Sequence, residues 1–399
     1  MTLEQLRIAL KGVSAYRNMM DTPEMETITA LLDALHRGDG DGAVDCYTRL
    51  FYLLRQGQWP SLGHWMVDKL KYEEAPYPIM LAERRQDPAL TEAARRDVEV
   101  FSTLSQVDCG RLLEAMGALL EGPDYAALLD ALPRWEACVP FSFDGLTAFY
   151  DANGAGMYAR YRAFLWQNGQ LLPVADPDCP KPEEMIGYSL QRNQVIDNTR
   201  SMLEGNRVNN VLLYGNSGTG KSATVKSLLS VPGFDDLRLI EVGKEELADM
   251  PILIRRLAGK RHKFILFIDD LAFDQDDRTY SVLKTILEGG LEKRPANVAI
   301  YATSNRRHLV RQTFSDRAGD EVDASETIEE KTSLADRFGL RIPYLSLDKT
   351  EYLALVDRLA QLYGVETEPE ELHRMAMRWE LQHHGRSPRT ARQFIASLF

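Results

Sequence analysis

One eight-residue segment constrains the fold of this chain more than any other part of its sequence. It runs from Gly215 to Ser222, reads GNSGTGKS and fits the pattern G-x-x-x-x-G-K-[ST]. An apolar run typical of a strand (NVLLY) precedes it, and a run typical of a helix (SATVKSLL) follows it. This context predicts a loop whose backbone N–H groups surround phosphate oxygens at the start of a helix. A glycine-rich turn with a surface lysine is the alternative, and both flanking runs disfavour it.

The residues predicted to bind a nucleotide are consecutive in the chain. Lys221 is expected to reach the β and γ phosphates, and Ser222 is expected to supply a hydroxyl to Mg²⁺. The glycines allow the backbone to curl so that successive N–H groups converge on the phosphates. The predicted nucleotide-binding positions are Gly215, Asn216, Ser217, Gly218, Thr219, Gly220, Lys221, Ser222 and Ala223.

Two adjacent carboxylates form a second candidate feature. Asp269 and Asp270 follow the apolar run FILFI, so both are expected at the end of a strand. A P-loop fold has its second metal contact at such a position, and Asp269 is therefore the candidate Mg²⁺ ligand. Asp270 is the candidate catalytic carboxylate. For each residue the alternative is an acid with a purely structural role.

Five apolar runs of strand length alternate with helical segments in the second half of the chain. They are Val211–Tyr214, Leu237–Val242, Phe264–Ile268, Val298–Thr303 and Ile342–Leu347. Such alternation predicts an α/β fold, in which helices cover both faces of a parallel sheet. From Lys349 onward only helical periodicity remains. The last helix is expected to begin at Ser387-Pro388, with serine as N-cap and proline at the first helical position.

The first part of the chain has a different pattern. Its apolar residues recur at spacings of three and four, and prolines divide it into pieces of helix length. Four prolines in the ten residues from Pro173 to Pro182 predict an extended connector. We therefore expect a mostly helical accessory domain at 1–172, the connector at 173–182, an α/β nucleotide-binding core at 183–348 and a helical segment at 349–399.

Length, charge and cysteine usage exclude several classes of protein. A chain of 399 residues predicts two or three domains. The formal net charge of -12 would repel a phosphate backbone, so it disfavours general nucleic-acid binding. The four cysteines form no CxxC pair and are expected to be free thiols. Because the sequence has neither a signal-peptide pattern nor an apolar run of ~20 residues, we expect a cytoplasmic location without membrane contact.

The motifs together resemble those of the AAA+ ATPases, from about residue 183 to the end. GNSGTGKS and FILFIDD are similar to the Walker A and Walker B motifs, and YATSN (301–305) is similar to the strand that carries a polar sensor. LADRFG (334–339) resembles an arginine-finger region, and GRSPRTAR (385–392) resembles a second sensor. The amino-acid sequence of these motifs is most similar to a bacterial AAA+ family catalogued as a domain of unknown function. The resemblance implies a P-loop NTPase core with a five-stranded parallel sheet, a helical lid at 349–399, and ATP and Mg²⁺ as cofactors.

The resemblance also implies roles for individual polar residues. Asn305 matches the polar sensor, and Arg389 matches the second sensor, with Arg392 one turn away. Arg337 is the first candidate for an arginine finger, which acts on the nucleotide of a neighbouring subunit, and Arg341 is the second candidate. Arginines on the surface of helices are the alternative for all of these positions.

Two further expectations concern the base and the hydrolysis step. Residues 186–191 (IGYSLQ) correspond to the part of such proteins that surrounds the adenine. Asp270 stands where many members of the superfamily carry a glutamate that orients the attacking water. Because aspartate is one methylene shorter, slow hydrolysis or a shifted water is expected.

The leading functional hypothesis is an ATPase that hydrolyses ATP to ADP and phosphate and thereby remodels or regulates a protein partner. The helical domain would hold the partner, and a homo-oligomer is implied, for which a ring is one arrangement. One alternative is a nucleotide-dependent binding switch with negligible turnover. The other is a DNA-linked ATPase, which the basic cluster Arg306-Arg307-His308 motivates. The acidic segment 313–330 is expected to be a solvated loop, with a switch or partner contact as the alternative.

Overall fold

The computed structural model describes residues 1–135, 141–181, 185–273, 278–288, 294–305, 334–383 and 385–399. The chain folds into two compact units, Met1–Arg160 and Tyr161–Phe399. Cys138, the basic cluster at 306–308, the acidic segment at 313–330 and His384 lie outside the described residues. Among the described residues, no helix combines the length and the apolar character needed to cross a membrane.

The first unit is helical in the part that the structure describes, as its sequence predicts. Prolines stand in the first turn of four of its helices, where the missing N–H has no intrahelical partner to lose. The helices are Leu3–Leu10 (α1), Pro23–Arg37 (α2), Gly40–Gln56 (α3), Leu62–Tyr72 (α4), Pro76–Ala82 (α5), Pro88–Ser105 (α6), Cys109–Gly117 (α7), Pro123–Ala131 (α8), Phe143–Asn153 (α9) and Gly156–Arg160 (α10).

The core of the first unit contains polar groups whose partners are all internal. The Asp97 carboxylate is 3 % exposed, and its Oδ2 accepts the backbone N–H groups of Ser14, Ala15 and Tyr16 at 2.9, 2.7 and 3.1 Å. The Tyr16 hydroxyl bonds that of Tyr150 at 3.2 Å. A buried carboxylate is stable only when its lone pairs find donors, so this contact fixes the segment after α1 against α6.

The second unit is built on a seven-stranded sheet. Its order is β2-β1-β4-β5-β6-β3-β7, and all neighbouring pairs are parallel except β1 and β2. The five strands predicted from the sequence are present as β3 to β7, but the last ends at Tyr344 and not at Leu347. The strands are Ala163–Gln167 (β1), Gln170–Val174 (β2), Val211–Gly215 (β3), Leu237–Val242 (β4), Lys263–Ile268 (β5), Val298–Ser304 (β6) and Leu340–Tyr344 (β7).

The expectation of five strands is therefore wrong, because a hairpin extends the sheet beyond β4. Asn168 and Gly169 both have positive φ, 50° and 74°, and connect β1 to β2 as a two-residue turn. β1 then pairs in parallel with β4, so residues 161–172 belong to the second unit and not to the helical accessory domain. Pro173 and Val174, which the proline pattern places in the connector, end β2 instead.

Helices of the second unit flank the strands and form its C-terminal part. The last three pack on a core of their own, which includes Tyr352, Leu359 and Phe394. Ser387 caps the last helix by accepting the Thr390 N–H, and Pro388 is in its first turn, which confirms the predicted start. The helices are Ser189–Leu203 (α11), Lys221–Lys226 (α12), Met250–Leu257 (α13), Arg278–Glu288 (α14), Lys349–Tyr363 (α15), Pro369–Gln382 (α16) and Pro388–Ala396 (α17).

Candidate nucleotide-binding site

The candidate site lies at the carboxyl ends of three neighbouring strands. β3 leads into the glycine-rich loop, β5 ends before Asp269 and Asp270, and β6, which lies between them, carries Thr303 and leads to Asn305. Parallel strands end at the same edge of a sheet, so residues far apart in sequence meet there. A cleft of about 700 Å³ opens at this edge, and the loop from Ser217 to Ala223 forms one of its walls.

The first residue of the loop must be glycine for steric reasons. Gly215 has φ 137°, and a Cβ built there would lie 2.1 Å from the carbonyl oxygen of Tyr344 on β7. The next residue, Asn216, donates its backbone N–H to that same carbonyl at 3.0 Å. The loop is therefore fixed to the neighbouring strand at its first residue.

Lys221 is held inside the loop at the start of α12. Its side chain is buried, and Nζ donates to the carbonyl oxygens of Gly215 and Asn216 at 3.0 and 2.7 Å and to Asn305 Oδ1 at 2.9 Å. Burial lowers the pKa of the Lys221 ammonium, Asp270 and Asp269 oppose that shift, and Arg389 adds to it. The ammonium points into the loop that would contain the phosphates.

The two residues predicted to bind the metal are in contact. Ser222 Oγ donates to Asp269 Oδ1 at 2.6 Å, and the Thr303 hydroxyl donates to the same carboxylate oxygen. A hydroxyl and a carboxylate are the oxygen ligands that Mg²⁺ takes in proteins when phosphates and water complete its shell. The donor set fits this metal. No cluster of three or more His, Cys, Asp or Glu side chains suited to a metal occurs in the described part of the chain.

Asp270 has an unusual backbone conformation and two defined partners. Its φ is 50°, in the left-handed region, and its N–H donates to Thr303 Oγ1 at 2.9 Å. Its side-chain Oδ1 accepts Asn305 Nδ2 at 2.7 Å. Since Asn305 Oδ1 also accepts Lys221, one amide connects the candidate catalytic carboxylate to the loop lysine.

The last helix contacts the glycine-rich loop. Arg389 donates its backbone N–H to the Gly218 carbonyl at 3.2 Å, and the side chains of Arg389 and Arg392 line the cleft. Gly218 has φ 76°, and a Cβ there would lie 3.0 Å from Ser387 Oγ and 3.1 Å from Arg389 Cβ. The predicted second sensor thus lies beside the predicted phosphate loop.

Three of the six residues expected around the base, 186–188, line the cleft, whereas 189–191 do not. Ile186, Gly187 and Tyr188 line it together with Tyr344. The rings of Tyr188 and Tyr344 are stacked, with centroids 4.9 Å apart and planes inclined by 28°. Burial raises the pKa of Tyr344 to about 12, so its hydroxyl stays protonated and bonds the Thr224 hydroxyl at 2.9 Å.

The two arginine-finger candidates do not line this cleft. Arg337 pairs with Glu288 of α14, with Nη2 and Oε1 2.5 Å apart. Arg341 pairs with Asp336, and the distance between Nη1 and Oδ1 is 2.5 Å. An arginine finger acts on the nucleotide of another subunit, so it need not line the cleft of its own chain. The finger role of Arg337 or Arg341 therefore stays a prediction.

Thr303 is a site residue that the sequence analysis did not assign. It is 2 % exposed and bonds both Asp269 and the backbone of Asp270. The sequence contained a usable signal, because residues two apart on a strand face the same side. Thr303 and Asn305 are two apart, so the sequence predicts that both face the same side of the sheet edge.

Comparisons with known proteins give one family and a set of weak structural matches. The family model described as "Protein of unknown function (DUF815)" matches residues 159–399. No curated protein matches the chain. The solved structures that match include the RuvB Holliday junction branch migration motor of Thermotoga maritima and single-residue variants of it, at 17% sequence identity and TM-scores of 0.36 to 0.37. The matches to the motor and to one of these variants cover 54% of this chain and 63% of the other. The chain thus spans less than two thirds of the length of those structures.

Proposed function

This chain belongs to the DUF815 family of proteins of unknown function, and we propose that its second unit is an Mg²⁺-dependent ATPase of the AAA+ type. The observation that supports this most directly is the convergence of side chains on one cleft. The Lys221 ammonium, the contact between Ser222 and Asp269, the Asp270 carboxylate and Arg389 meet at the edge of the sheet. Each is of the type that phosphoryl transfer to water uses.

The basic groups of the site would bind the phosphates. Lys221 would exchange its bonds to loop carbonyls for the β and γ phosphate oxygens, while the backbone N–H groups of residues 217–222 surround them. Arg389, which begins the last helix, would add a second cation from the C-terminal part of the chain. With both cations near one triphosphate, α17 would stay close to the loop when ATP is bound.

The carboxylates would have separate tasks. Ser222 and Asp269 would hold Mg²⁺, which when bound neutralises charge on the phosphate oxygens. Asp270 would orient the attacking water and accept its proton, and Asn305 would fix the direction of that carboxylate. Arg337 would act on the nucleotide of an adjacent subunit, so full activity would require a homo-oligomer. Hydrolysis of ATP would remodel or regulate a protein partner, which the helical first unit would hold.

A switch with negligible turnover is the second candidate, and one contact favours it. Asn305 holds Asp270 at 2.7 Å and Lys221 at 2.9 Å, so the carboxylate is directed toward the amide. If ATP binding leaves the Asp270 carboxylate turned toward the amide and away from the attacking water, no base is in position and the bound nucleotide only stabilises one state. A ligand at 100 times its Kd stabilises the state that binds it by about 2.7 kcal/mol.

The test measures phosphate release by the full-length protein over a range of protein concentrations, with Mg²⁺-ATP. We expect activity per subunit to rise with concentration and to fall about 10²-fold or more in Lys221→Ala and in Asp270→Asn. Lys349→Ala, a change at an exposed lysine, is the matched control and should leave the rate unchanged. In Arg337→Ala the rise with concentration should disappear.

Each outcome separates the candidates. ATP binding without phosphate release, lost in Lys221→Ala, would establish the switch and reject the ATPase. If Lys221→Ala and Lys349→Ala bind ATP equally well and release phosphate at equal rates, both candidates are rejected. Stimulation of phosphate release by DNA, falling with added salt, would favour the DNA-linked alternative, which the net charge of -12 disfavours.

A further inference from the structure

The first unit contains a cavity that the proposed ATPase does not use. It has a volume of about 700 Å³ and lies between the turn after α3, one face of α4 and the start of α9. Trp59, Val67, Phe141 and Leu146 contribute apolar walls, and Lys71 contributes a cation. Small-molecule sites have volumes of about 300–1,000 Å³ and combine apolar walls with a few polar groups. The cavity has both the size and the composition of such a site.

The turn after α3 is shaped around the Trp59 ring. Left-handed residues at helix ends are usually glycine, yet here Gln58 has φ 60° and Gly57 precedes it. The glycine is needed one residue earlier, at position 57, because a Cβ there would lie 2.7 Å from Cδ1 and Nε1 of Trp59. The Trp59 backbone N–H donates to the Leu54 carbonyl at 2.8 Å, which fixes the backbone of the turn. The turn therefore places the Trp59 indole against Gly57, where it forms a wall of the cavity without a ligand.

The charged groups of the cavity leave one cation available. Asp68 is already neutralised, because Arg160 Nη2 lies 2.6 Å from both of its carboxylate oxygens. The Lys71 ammonium lies above the ring of Phe149, 5.4 Å from the centroid. Within the described part of the chain, Lys71 forms no ion pair with a carboxylate at 4 Å or less. Since Asp68 is paired with Arg160, Lys71 is, among the described residues, the lining charge without an oppositely charged partner, which favours an anionic ligand.

We propose that this cavity of the first unit binds a small organic anion with a flat apolar body. The apolar body contacts Trp59, Phe141 and Leu146, and the anionic group pairs with Lys71. The rings supply area and the ammonium supplies orientation, a combination typical of small-ligand sites. The site lies wholly in the first unit, so the proposal stands whether or not the second unit hydrolyses ATP.

The test uses 1-anilinonaphthalene-8-sulfonate, a flat aromatic anion, as the probe. Its binding to the full-length protein is measured by isothermal titration calorimetry, with excess Mg²⁺-ATP present to fill the nucleotide cleft. We expect one site per chain. Lys71→Gln should weaken binding about tenfold, as expected for one charge-assisted contact. Lys69→Gln is the matched control, since this lysine is on the same helix and does not line the cavity.

Two further measurements make the result decisive. Val67→Trp places an indole in the cavity and should abolish binding, while a far-UV circular dichroism melt checks that this variant is folded. N-phenyl-1-naphthylamine, an uncharged analogue of the probe, should bind more weakly than the sulfonate, and Lys71→Gln should remove that difference. The proposal is overturned if folded Val67→Trp binds the probe normally, if Lys71→Gln and Lys69→Gln behave alike, or if several equivalent sites titrate.

Discussion

The hydroxyl of Thr303 connects the two carboxylates on which the proposed chemistry depends. A threonine hydroxyl has one proton to donate and lone pairs to accept with. Here it donates to Asp269 and accepts the Asp270 N–H, which holds that residue at a φ of 50°. A left-handed conformation in a non-glycine residue costs about 1–2 kcal/mol, so the hydrogen bond offsets part of the strain. One buried side chain thus orients the candidate metal ligand and the candidate base.

Thr303→Val tests this role, because valine keeps the shape of threonine and removes its hydroxyl. We expect Mg²⁺-dependent phosphate release to fall about 10–100-fold, the range for residues that orient metal ligands. The Mg²⁺ concentration for half-maximal activity should rise, whereas nucleotide binding without metal should change little. Thr285→Val, at an exposed helical threonine, is the control. An unchanged Mg²⁺ dependence in Thr303→Val would assign Thr303 to the core alone.

The contact between α17 and the glycine-rich loop belongs to the scale of elements. Gly218 has positive φ, and the space beside its Cα is occupied by Ser387 and Arg389. Gly205 also has positive φ, 93°, but nothing lies within 4 Å of a Cβ built there. Alanine causes backbone strain at both positions, while only at Gly218 does it also contact another element. Comparing alanine at the two positions therefore separates the effect of backbone strain from the effect of contact with α17.

We therefore expect Gly218→Ala to loosen α17 and Gly205→Ala to leave it unchanged. Hydrogen exchange of the backbone amides in 388–396 measures this directly, since local opening raises the exchange rate. In Gly218→Ala these amides should exchange at least several-fold faster. Equal exchange in the two variants would mean that the methyl group is accommodated and that the contact between loop and helix is weak.

The sequence predicts features that depend on neighbouring residues better than features that depend on contacts between distant parts of the chain. The positions of the glycine-rich loop and of Asp269 at strand ends could be predicted because each motif is local, while their roles toward nucleotide and Mg²⁺ stay predictions. The sequence does not predict the hairpin of β1 and β2, although Asn168-Gly169 is a typical two-residue turn sequence, because the prolines from Pro173 onward favour an extended connector at the same place. The contact of Arg389 with Gly218 could not be predicted geometrically, since it depends on how the C-terminal helices pack.

At the scale of the whole molecule, each unit has a core of its own. Among the described residues, the core of the first unit around Trp65, Phe101 and Tyr150 includes none from beyond Arg160. In the second unit Tyr188 packs against both the sheet core and the core of the three C-terminal helices. The boundary between the units precedes β1, because β1 pairs with β4 of the sheet; Phe164 and Trp166 on this strand are 1 % and 2 % exposed in the full chain.

Fragments that begin or end at the two candidate boundaries test this division. Fragment 1–160 should fold alone, and 161–399 should melt as a cooperative unit. Fragment 173–399, cut at the boundary expected from the prolines, lacks β1 and loses the burial of Phe164 and Trp166, at least about 3 kcal/mol for two large side chains. It also leaves the edge of β4 unpaired, which favours aggregation. Circular dichroism melts should therefore show that 173–399 is less stable than 161–399. Size-exclusion chromatography should show that 173–399 aggregates and that 161–399 does not. Equal melting temperatures and elution of both fragments without aggregates would place the boundary at 172 and make the hairpin dispensable.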